Sequence, residues 1–406
     1  MLRISTSTVY DQNQMQFNMQ QTLLMHTQLQ VSSGRRMVTP ADDPAAAARV
    51  LEITQSDSMN TQYATNRTSA TNSLSLVDGA FQNISNLLQT MRQSATAAGN
   101  GVLTNAERQA MASDLNAQLQ DLIGQANSTD GAGNYLFSGF QGTTKPFTQT
   151  AAGVAYNGDD GQRMVQVAAS RQMAMTDPGS DLFMRVKTGN GTFTAQAAPA
   201  NTGGGVISTG VVTNPALWNG ANYSVAFTVA AGVTSYTVTQ TSAPAGVVVP
   251  ATPFVSGQAI AFNGIQFDVK GAPANGDTFT VAPSSNQSIF QTVQNLVNVL
   301  NQPVTAGVAS SSAQLQQGVQ DALNGIDNAL NQVLTSRASI GSRMNELDAL
   351  KAGGNLMGLQ YQQSLSTLQD LDYAKAISDL NRQQMTLQAA QKSFVQVAGL
   401  TLFAYM

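Results

Sequence analysis

Leu74-Ser75-Leu76-Val77-Asp78-Gly79-Ala80-Phe81-Gln82-Asn83-Ile84-Ser85-Asn86-Leu87-Leu88-Gln89-Thr90-Met91 is the stretch that decides the fold. Within it Leu74, Val77, Phe81, Ile84, Leu88 and Met91 recur at alternating spacings of three and four. That is one face of an α-helix; a half-buried strand would repeat every second residue. Most of the remaining positions are Ser, Asn, Gln, Asp and Thr. So narrow an apolar stripe suits long helices packed side by side.

The same pattern returns toward both ends. Val319, Leu323, Ile326, Leu330, Val333, Ile340, Met344 and Leu347 fit one heptad frame, with Arg337 as its miss. Tyr10, Phe17, Leu24 and Val31 recur every seven residues at the start. Leu380, Leu387 and Phe394 do so near the end, with Ala390 and Val397 three residues after two of them. The helix breaks have physical causes. Gly34 is a left-handed C-cap candidate, and Asp43 can cap a helix whose first position is Pro44. Thr104-Asn105-Ala106-Glu107 reads as a capping box, and Gly131 with Gly133 is expected to end the helix that follows.

Between the helical ends the period changes to two. Tyr223–Val229 and Ser235–Thr239 alternate, and Ile260, Phe262, Ile265, Phe267 and Val269 flank the hairpin signal Asn263-Gly264. Asp277–Val281 closes this set, which reads as an antiparallel sandwich or barrel. One further hairpin is expected over 154–174, turning at Gly158-Asp159-Asp160-Gly161. From 186 to 320 there are four charges: Lys187, Asp268, Lys270 and Asp277.

Composition removes most chemistry. The chain has 406 residues, of which 10% are charged, against roughly 25% in an average domain. Lys plus Arg is 19, Asp plus Glu is 23 and the net charge is −4, so no basic footprint for nucleic acid exists. No basic amphipathic face for a membrane surface is visible, and no apolar run approaches a membrane span of about 20 residues. Cysteine is absent, and His26 is the one histidine. Disulfides, thiolate chemistry, Ser-His-Asp catalysis and multi-histidine metal sites are thereby disfavoured. No catalytic, cofactor or metal site is expected. The start has no apolar segment of a secretory signal.

Isolated features have bland readings. Asn157-Gly158-Asp159-Asp160-Gly161 lacks the further spaced carboxylates of a calcium loop and reads as a turn. Gly131-Ala132-Gly133-Asn134 has no Lys-Ser/Thr to make a phosphate loop. Trp218, Tyr223 and Tyr236 could line a sugar site, but single aromatics in a sandwich are more often core. The terminal heptads carry almost no charges to specify one partner helix. Their other faces are Gln, Asn, Ser and Thr, which can meet identical neighbours without burying charge. Self-assembly, as in a tube wall, is the functional reading of these ends; an intramolecular coiled coil is the plainer one.

At this point the residues resemble a known family. Met1-Leu2-Arg3-Ile4-Ser5-Thr6 with Tyr10 and Gln12, and Pro40-Ala41-Asp42-Asp43-Pro44, are similar to the hook-associated protein 3 family of bacterial flagellar hook–filament junction proteins, within the flagellin-like superfamily. Many relatives carry serine in place of Ala41. The most specific match is Ala126-Asn127-Ser128-Thr129-Asp130-Gly131 followed by Asn134-Tyr135-Leu136-Phe137-Ser138-Gly139. Gly271-Ala272-Pro273 with Gly276-Asp277-Thr278-Phe279, Ser339-Ile340-Gly341 with Asn345-Glu346-Leu347, and the Leu402-Phe403 ending complete it.

The resemblance implies a non-enzymatic adaptor without cofactors. It would form a ring of identical subunits between hook-associated protein 1 and the flagellin filament. It would be exported without a cleaved signal peptide through the flagellar type III apparatus, with a chaperone on the C-terminal helix, and act outside the cell. Two alternatives stand beside it: a flagellin-like filament subunit, and a secreted sandwich-type adhesin or sugar-binding protein with a helical stalk. Matching polar heptads at both ends favour the adaptor.

The expected architecture is α+β: long coiled-coil-like terminal helices paired in a helical bundle, a β-hairpin region, and an inserted antiparallel β-sandwich or barrel. Its expected parts are an N-terminal assembly helix (1–40), a helical domain (41–134 and 286–355) with a β-hairpin region (135–185), an outer β domain (186–285) and a C-terminal assembly helix (356–406). The expected assembly positions are Tyr10, Phe17, Leu24 and Val31 on the first helix. On the last helix they are Leu380, Leu387, Ala390, Phe394 and Val397, with Leu402 and Phe403 beyond, and these would also serve the chaperone. Leu74, Val77, Phe81, Ile84, Leu88, Met91, Leu323, Ile326, Leu330 and Val333 are expected in the helical core.

Overall fold

The computed structural model describes residues 6–399. Six helices frame it: α1 (Thr6–Ser33), α2 (Pro44–Ala98), α3 (Asn105–Ala126), α4 (Ile289–Asn301), α5 (Ala309–Gln369) and α6 (Tyr373–Gly399). Two compact units result, Met1–Thr65 with Ala349–Met406, and Asn66–Asp348. Among the described residues no helix is long and apolar enough to cross a membrane.

The helix ends follow local chemistry. Asp43 Oδ1 accepts from the Ala46 amide at 3.0 Å, capping α2 with Pro44 at its first position. Thr104 and Glu107 form the capping box of α3. The same bonds from Thr104 hold the Glu107 carboxyl below its ordinary range. Helix α3 ends earlier than the glycines propose. It stops at Ala126 because Asn127 reaches back to the Ile123 carbonyl and across to the backbone of Phe147. Gly131 and Gly133, both at positive φ, instead lie in the loop that follows.

In the second unit α2 and α5 run antiparallel, tied by Arg337–Asp78 at 2.9 Å and Arg92–Asp327 at 2.6 Å. Leu74, Val77, Phe81, Ile84, Leu88 and Met91 are all buried. On α5 the buried apolar set is Ala313, Leu315, Val319, Ala322, Ile326, Ala329, Val333, Ile340 and Leu347. This corrects the sequence frame: Leu323 and Leu330 are half-buried at the margin, and Ala322 and Ala329 take the central positions. Close approach of α4 is the physical reason. A Cβ on Gly318 would lie 2.7 Å from Val299, and one on Gly325 2.6 Å from Thr292, so small residues are required along that line.

Five phenylalanines knit this unit together. Phe137 stacks on Phe81 at 5.7 Å and meets Phe183 edge-on at 5.6 Å. Phe147 and Phe290 close the cluster around Phe183. Phe137 is the centre of the Tyr-Leu-Phe-Ser-Gly element. Gly139 after it adopts φ +71°, where a Cβ would collide with Asp159.

The strands are β1 (Phe147–Thr150), β2 (Gly153–Tyr156), β3 (Met164–Ala168), β4 (Arg171–Ala174), β5 (Val186–Lys187), β6 (Phe193–Ala197), β7 (Val206–Ile207), β8 (Val211–Val212), β9 (Tyr223–Ala230), β10 (Val233–Gln240), β11 (Gly246–Pro253), β12 (Ala259–Phe262), β13 (Ile265–Lys270), β14 (Thr278–Pro283) and β15 (Asn286–Gln287). The single hairpin expected over 154–174 is instead two, β1–β2 and β3–β4. The 157–161 loop joins them, and its carboxylates brace it. Asp159 Oδ1 accepts from the amides of Phe140 and Gly161, and Asp160 pairs with Arg185 at 2.6 Å. Bonds from Ser180 and then Arg185 hold the Asp160 carboxyl low.

The region from β6 to β14 is a sandwich. One sheet runs β11-β10-β9-β14-β6, the other β12-β13-β7 with β8 also on β13. Alternating Tyr223, Val225 and Phe227 of the first and Ile265, Phe267 and Val269 of the second share one buried core. Asn263 and Gly264 turn the β12–β13 hairpin at φ +44° and +77°. Trp218, Tyr223 and Tyr236 belong to or pack on this core rather than lining a surface site.

The sandwich is fastened along α5 by amide side chains at helical spacing. Gln317 accepts from the Ile207 amide at 3.1 Å, and Gln320 and Asn324 both donate to Thr209 Oγ1. Asn328 donates to the carbonyls of Lys187 and Gly189. Asp321 lines a cavity of about 180 Å³ beside this row. Burial pushes its carboxyl up to about 6, opposed by a bond from Gln317.

Candidate assembly interface

In the first unit α1 and α6 pack against each other. They are antiparallel: Tyr10 meets Phe394 at 5.2 Å between ring centroids, and Gly34 lies against Tyr373 at the other end. Phe17, Leu24 and Val31 on α1, and Leu380, Leu387, Ala390 and Phe394 on α6, are half-buried; Tyr10 is more than half exposed. Val397 lies in α6, but its side chain lies outside the described residues, as do Leu402 and Phe403 altogether.

The seam alternates apolar and polar layers. Between the apolar positions of α1 come Asn13, Gln20 and Thr27, all shielded to some degree, and Gln383 does the same on α6. Thr27 Oγ1 donates back to the Leu23 carbonyl, while Gln383 Oε1 is buried without a protein partner. A layer of this kind sets register at a cost in stability. The two helices leave a groove of about 920 Å³ lined by Tyr10, Phe17, Met19, Leu23, Phe394 and Val395. It combines aromatic rings with flexible aliphatic chains and is bordered by amides, which suits an apolar helix face from outside.

A tie between two turns fixes the base of this pair. Gly34 closes α1 at φ +69°. The Arg36 amide donates to the Gln369 carbonyl at 2.7 Å and the Leu371 amide to the Gly34 carbonyl at 3.1 Å. The Arg36 guanidinium bonds the Leu368 carbonyl and reaches Asp43 at 3.3 Å. His26 contacts Asp42 at 3.1 Å. Asp42 also accepts from Thr39 and Val38, and these bonds, Thr39 first, hold its carboxyl far below the usual range. Sequence reading missed this tie because its bonds run to backbone atoms more than 300 residues away. Among the described residues no group of three or more His, Cys, Asp and Glu could hold a metal ion.

Three stretches of the chain match known protein families. Residues 4–142 match the bacterial flagellin N-terminal helical region and residues 323–405 the flagellin C-terminal helical region. Residues 197–283 match the D2-like domain of flagellar hook-associated protein 1. Flagellar hook-associated protein 3 of Salmonella typhimurium is 26% identical over 402 residues, 99% of both chains. The crystal structure of flagellar hook associated protein-3 from Legionella pneumophila is 33% identical at a TM-score of 0.75, covering 79% of this chain and 98% of that one. That of the flagellar junction protein FlgL from the same organism is 33% identical at 0.72, covering 79% and 100%. With flagellin-type helical regions at both ends, a sandwich between them, and a third of the aligned residues identical to those of solved members that it covers almost end to end, the chain belongs to the flagellar hook-associated protein 3 family, structural proteins of the hook–filament junction.

Proposed function

We propose that this protein joins the hook to the filament by packing its α1/α6 pair side by side with those of identical subunits, as a ring in the wall of the axial tube. Hook-associated protein 1 is its neighbour on the hook side and flagellin on the filament side. Tyr10, Phe17, Leu24 and Val31, with Leu380, Leu387, Ala390, Phe394, Val397, Leu402 and Phe403, carry the contacts. The chain reaches this place outside the cell through the flagellar type III apparatus, with the apolar stripe of α6 covered by an export chaperone until then. The observation that carries the reading is the Tyr10–Phe394 groove: a paired helix seam only half shielded from water, its apolar lining open on one side. Two isolated helices with such a seam are marginal in water, so neighbours must supply the remaining burial.

Phe394→Asp tests this. The variant should lose chaperone binding in titration and leave complemented cells with bare hooks and flagellin shed into the medium. The sandwich should stay folded. Unchanged chaperone affinity together with normal filaments would overturn the assignment of this stripe.

A further inference from the structure

The sequence holds seven Asn-Gly pairs, at Asn100, Asn157, Asn190, Asn219, Asn263, Asn275 and Asn324. Such a pair is prone to cyclise, because glycine puts no side chain in the way as its backbone nitrogen approaches the asparagine Cγ. The fold restrains six of them. Asn157, Asn190, Asn219, Asn263 and Asn324 each donate a hydrogen bond from the side-chain nitrogen, which fixes the rotamer. In the Asn275 pair the attacking atom is engaged: the Gly276 amide donates to the Phe227 carbonyl at 3.0 Å. Asn100 differs. It lies with Gly101 in the turn between α2 and α3, and both residues are exposed. Among the described residues neither Asn100 Nδ2 nor the Gly101 amide has a hydrogen-bond partner. The one bond to this side chain is the Val102 amide donating to Asn100 Oδ1 at 3.1 Å. That donor sits on the oxygen where negative charge builds when Cγ is attacked, so it favours the reaction.

We propose that Asn100 is a spontaneous deamidation site, the first of the seven pairs to convert in the folded chain, with water as its co-reactant. Water or hydroxide takes the Gly101 amide proton. The nitrogen attacks Asn100 Cγ, the Cγ–Nδ2 bond breaks, and ammonia leaves from a closed succinimide ring. Water then opens the ring at either carbonyl. One opening gives aspartate. The other gives isoaspartate, in which the main chain runs through the former side-chain carbon and is longer by a methylene. No electrons are transferred. The turn has room for either product, since no atom lies within 4 Å of the place a Cβ on Gly101 would take. The new carboxylate lies ahead of the N-terminus of α3, where the helix dipole favours negative charge. It also adds to a net charge that is already −4. The converted fraction grows with time and needs no enzyme, so it records the age of the molecule.

Incubation of the purified full-length protein at mildly alkaline pH tests this, with digested samples followed by mass spectrometry. An isoaspartyl methyltransferase with a labelled methyl donor is the probe for isoaspartate. In the folded chain the peptide containing Asn100 should gain the mass of the amide-to-acid change ahead of the other six pairs, and it should accept methyl groups. In urea that lead should disappear, because all seven pairs are then equally unrestrained. Gly101→Ala should also remove the lead in the folded chain. Gly101 is outside the positive-φ set and its surroundings are open, so alanine fits there. Earlier conversion at any other pair in the folded chain overturns the assignment. An unchanged Asn100 rate in Gly101→Ala overturns attack by the Gly101 nitrogen. The same lead persisting in urea overturns the fold as what selects Asn100.

Discussion

Phe81 and Phe394 both sit on heptad stripes of long helices, yet Phe81 is fully withdrawn from solvent and Phe394 is only half shielded. Phe81 stacks on Phe137 within a five-ring cluster drawn from helix, strand and loop, whereas Phe394 has one ring partner among the described residues, Tyr10. The difference teaches where the chain has finished its own folding. The Asn66–Asp348 unit contains a third layer, the hairpins and α4, that covers the stripe. Among the described residues the Tyr10–Phe394 end of the α1/α6 seam has no such layer, and amides stand between its apolar positions. The same period therefore means core in one place and open surface in the other.

The largest effect expected from this contrast is on Phe81. Phe81→Ala should destabilise the monomer by about 3–5 kcal/mol. Phe394→Ala should cost no more than about 1–2 kcal/mol, chiefly its aromatic pair. Urea unfolding followed by separate probes on the Asn66–Asp348 unit and on the α1/α6 pair distinguishes them; equal costs would mean that the α1/α6 seam is as complete as the phenylalanine core.

Asp321 offers the next largest effect. Its folded-state carboxyl titrates at about 6, against an ordinary value of 3.8. The folded chain thus holds a proton that the unfolded chain has already released. Stability falls as pH rises from about 4 to about 6 and stays reduced above. Asp321→Asn keeps the amide row intact and removes the penalty. It should raise stability at pH 7.5 by up to about 3 kcal/mol and change little at pH 3.5. Parallel melting curves for the two proteins across this range would show that burial does not set the carboxyl.

The smallest effect sits at the tip of the β9–β10 hairpin. Ala231 adopts φ +50° before Gly232, a left-handed position that costs a side chain roughly 1 kcal/mol. Ala231→Gly should stabilise the sandwich by about 0.5 kcal/mol, the strain relieved less the extra freedom of the unfolded chain. Loss of melting temperature would mean that the alanine methyl makes a packing contact.

Legibility varied with side-chain size. The α2 stripe could be read because large apolar residues mark each turn. The α5 line could not be read in full, since Gly318, Ala322, Gly325 and Ala329 work by being small and score as weakly apolar. The Asn263-Gly264 turn was legible from residue type alone. The two hairpins at 147–174 were not, because the turn-rich loop between them looked like the turn of one. At the interface, the sevenfold apolar positions stood out in the sequence. The polar layers of Asn13, Gln20 and Gln383 did not, since an amide on a seam has the same residue type as the amides on the exposed faces.

Strands β5 and β15 are two residues each, and Lys187 pairs with Asn286 while Val186 pairs with Gln287. The chain therefore leaves for the sandwich and comes back from it at neighbouring backbone positions, about 5 Å apart in such a pairing. That is a socket. Any compact domain whose two termini lie side by side can be spliced in there without stretching the bundle. The amide row on α5, being polar, tolerates water when the original occupant is gone. Each chain thus offers one fixed mounting point for a foreign domain.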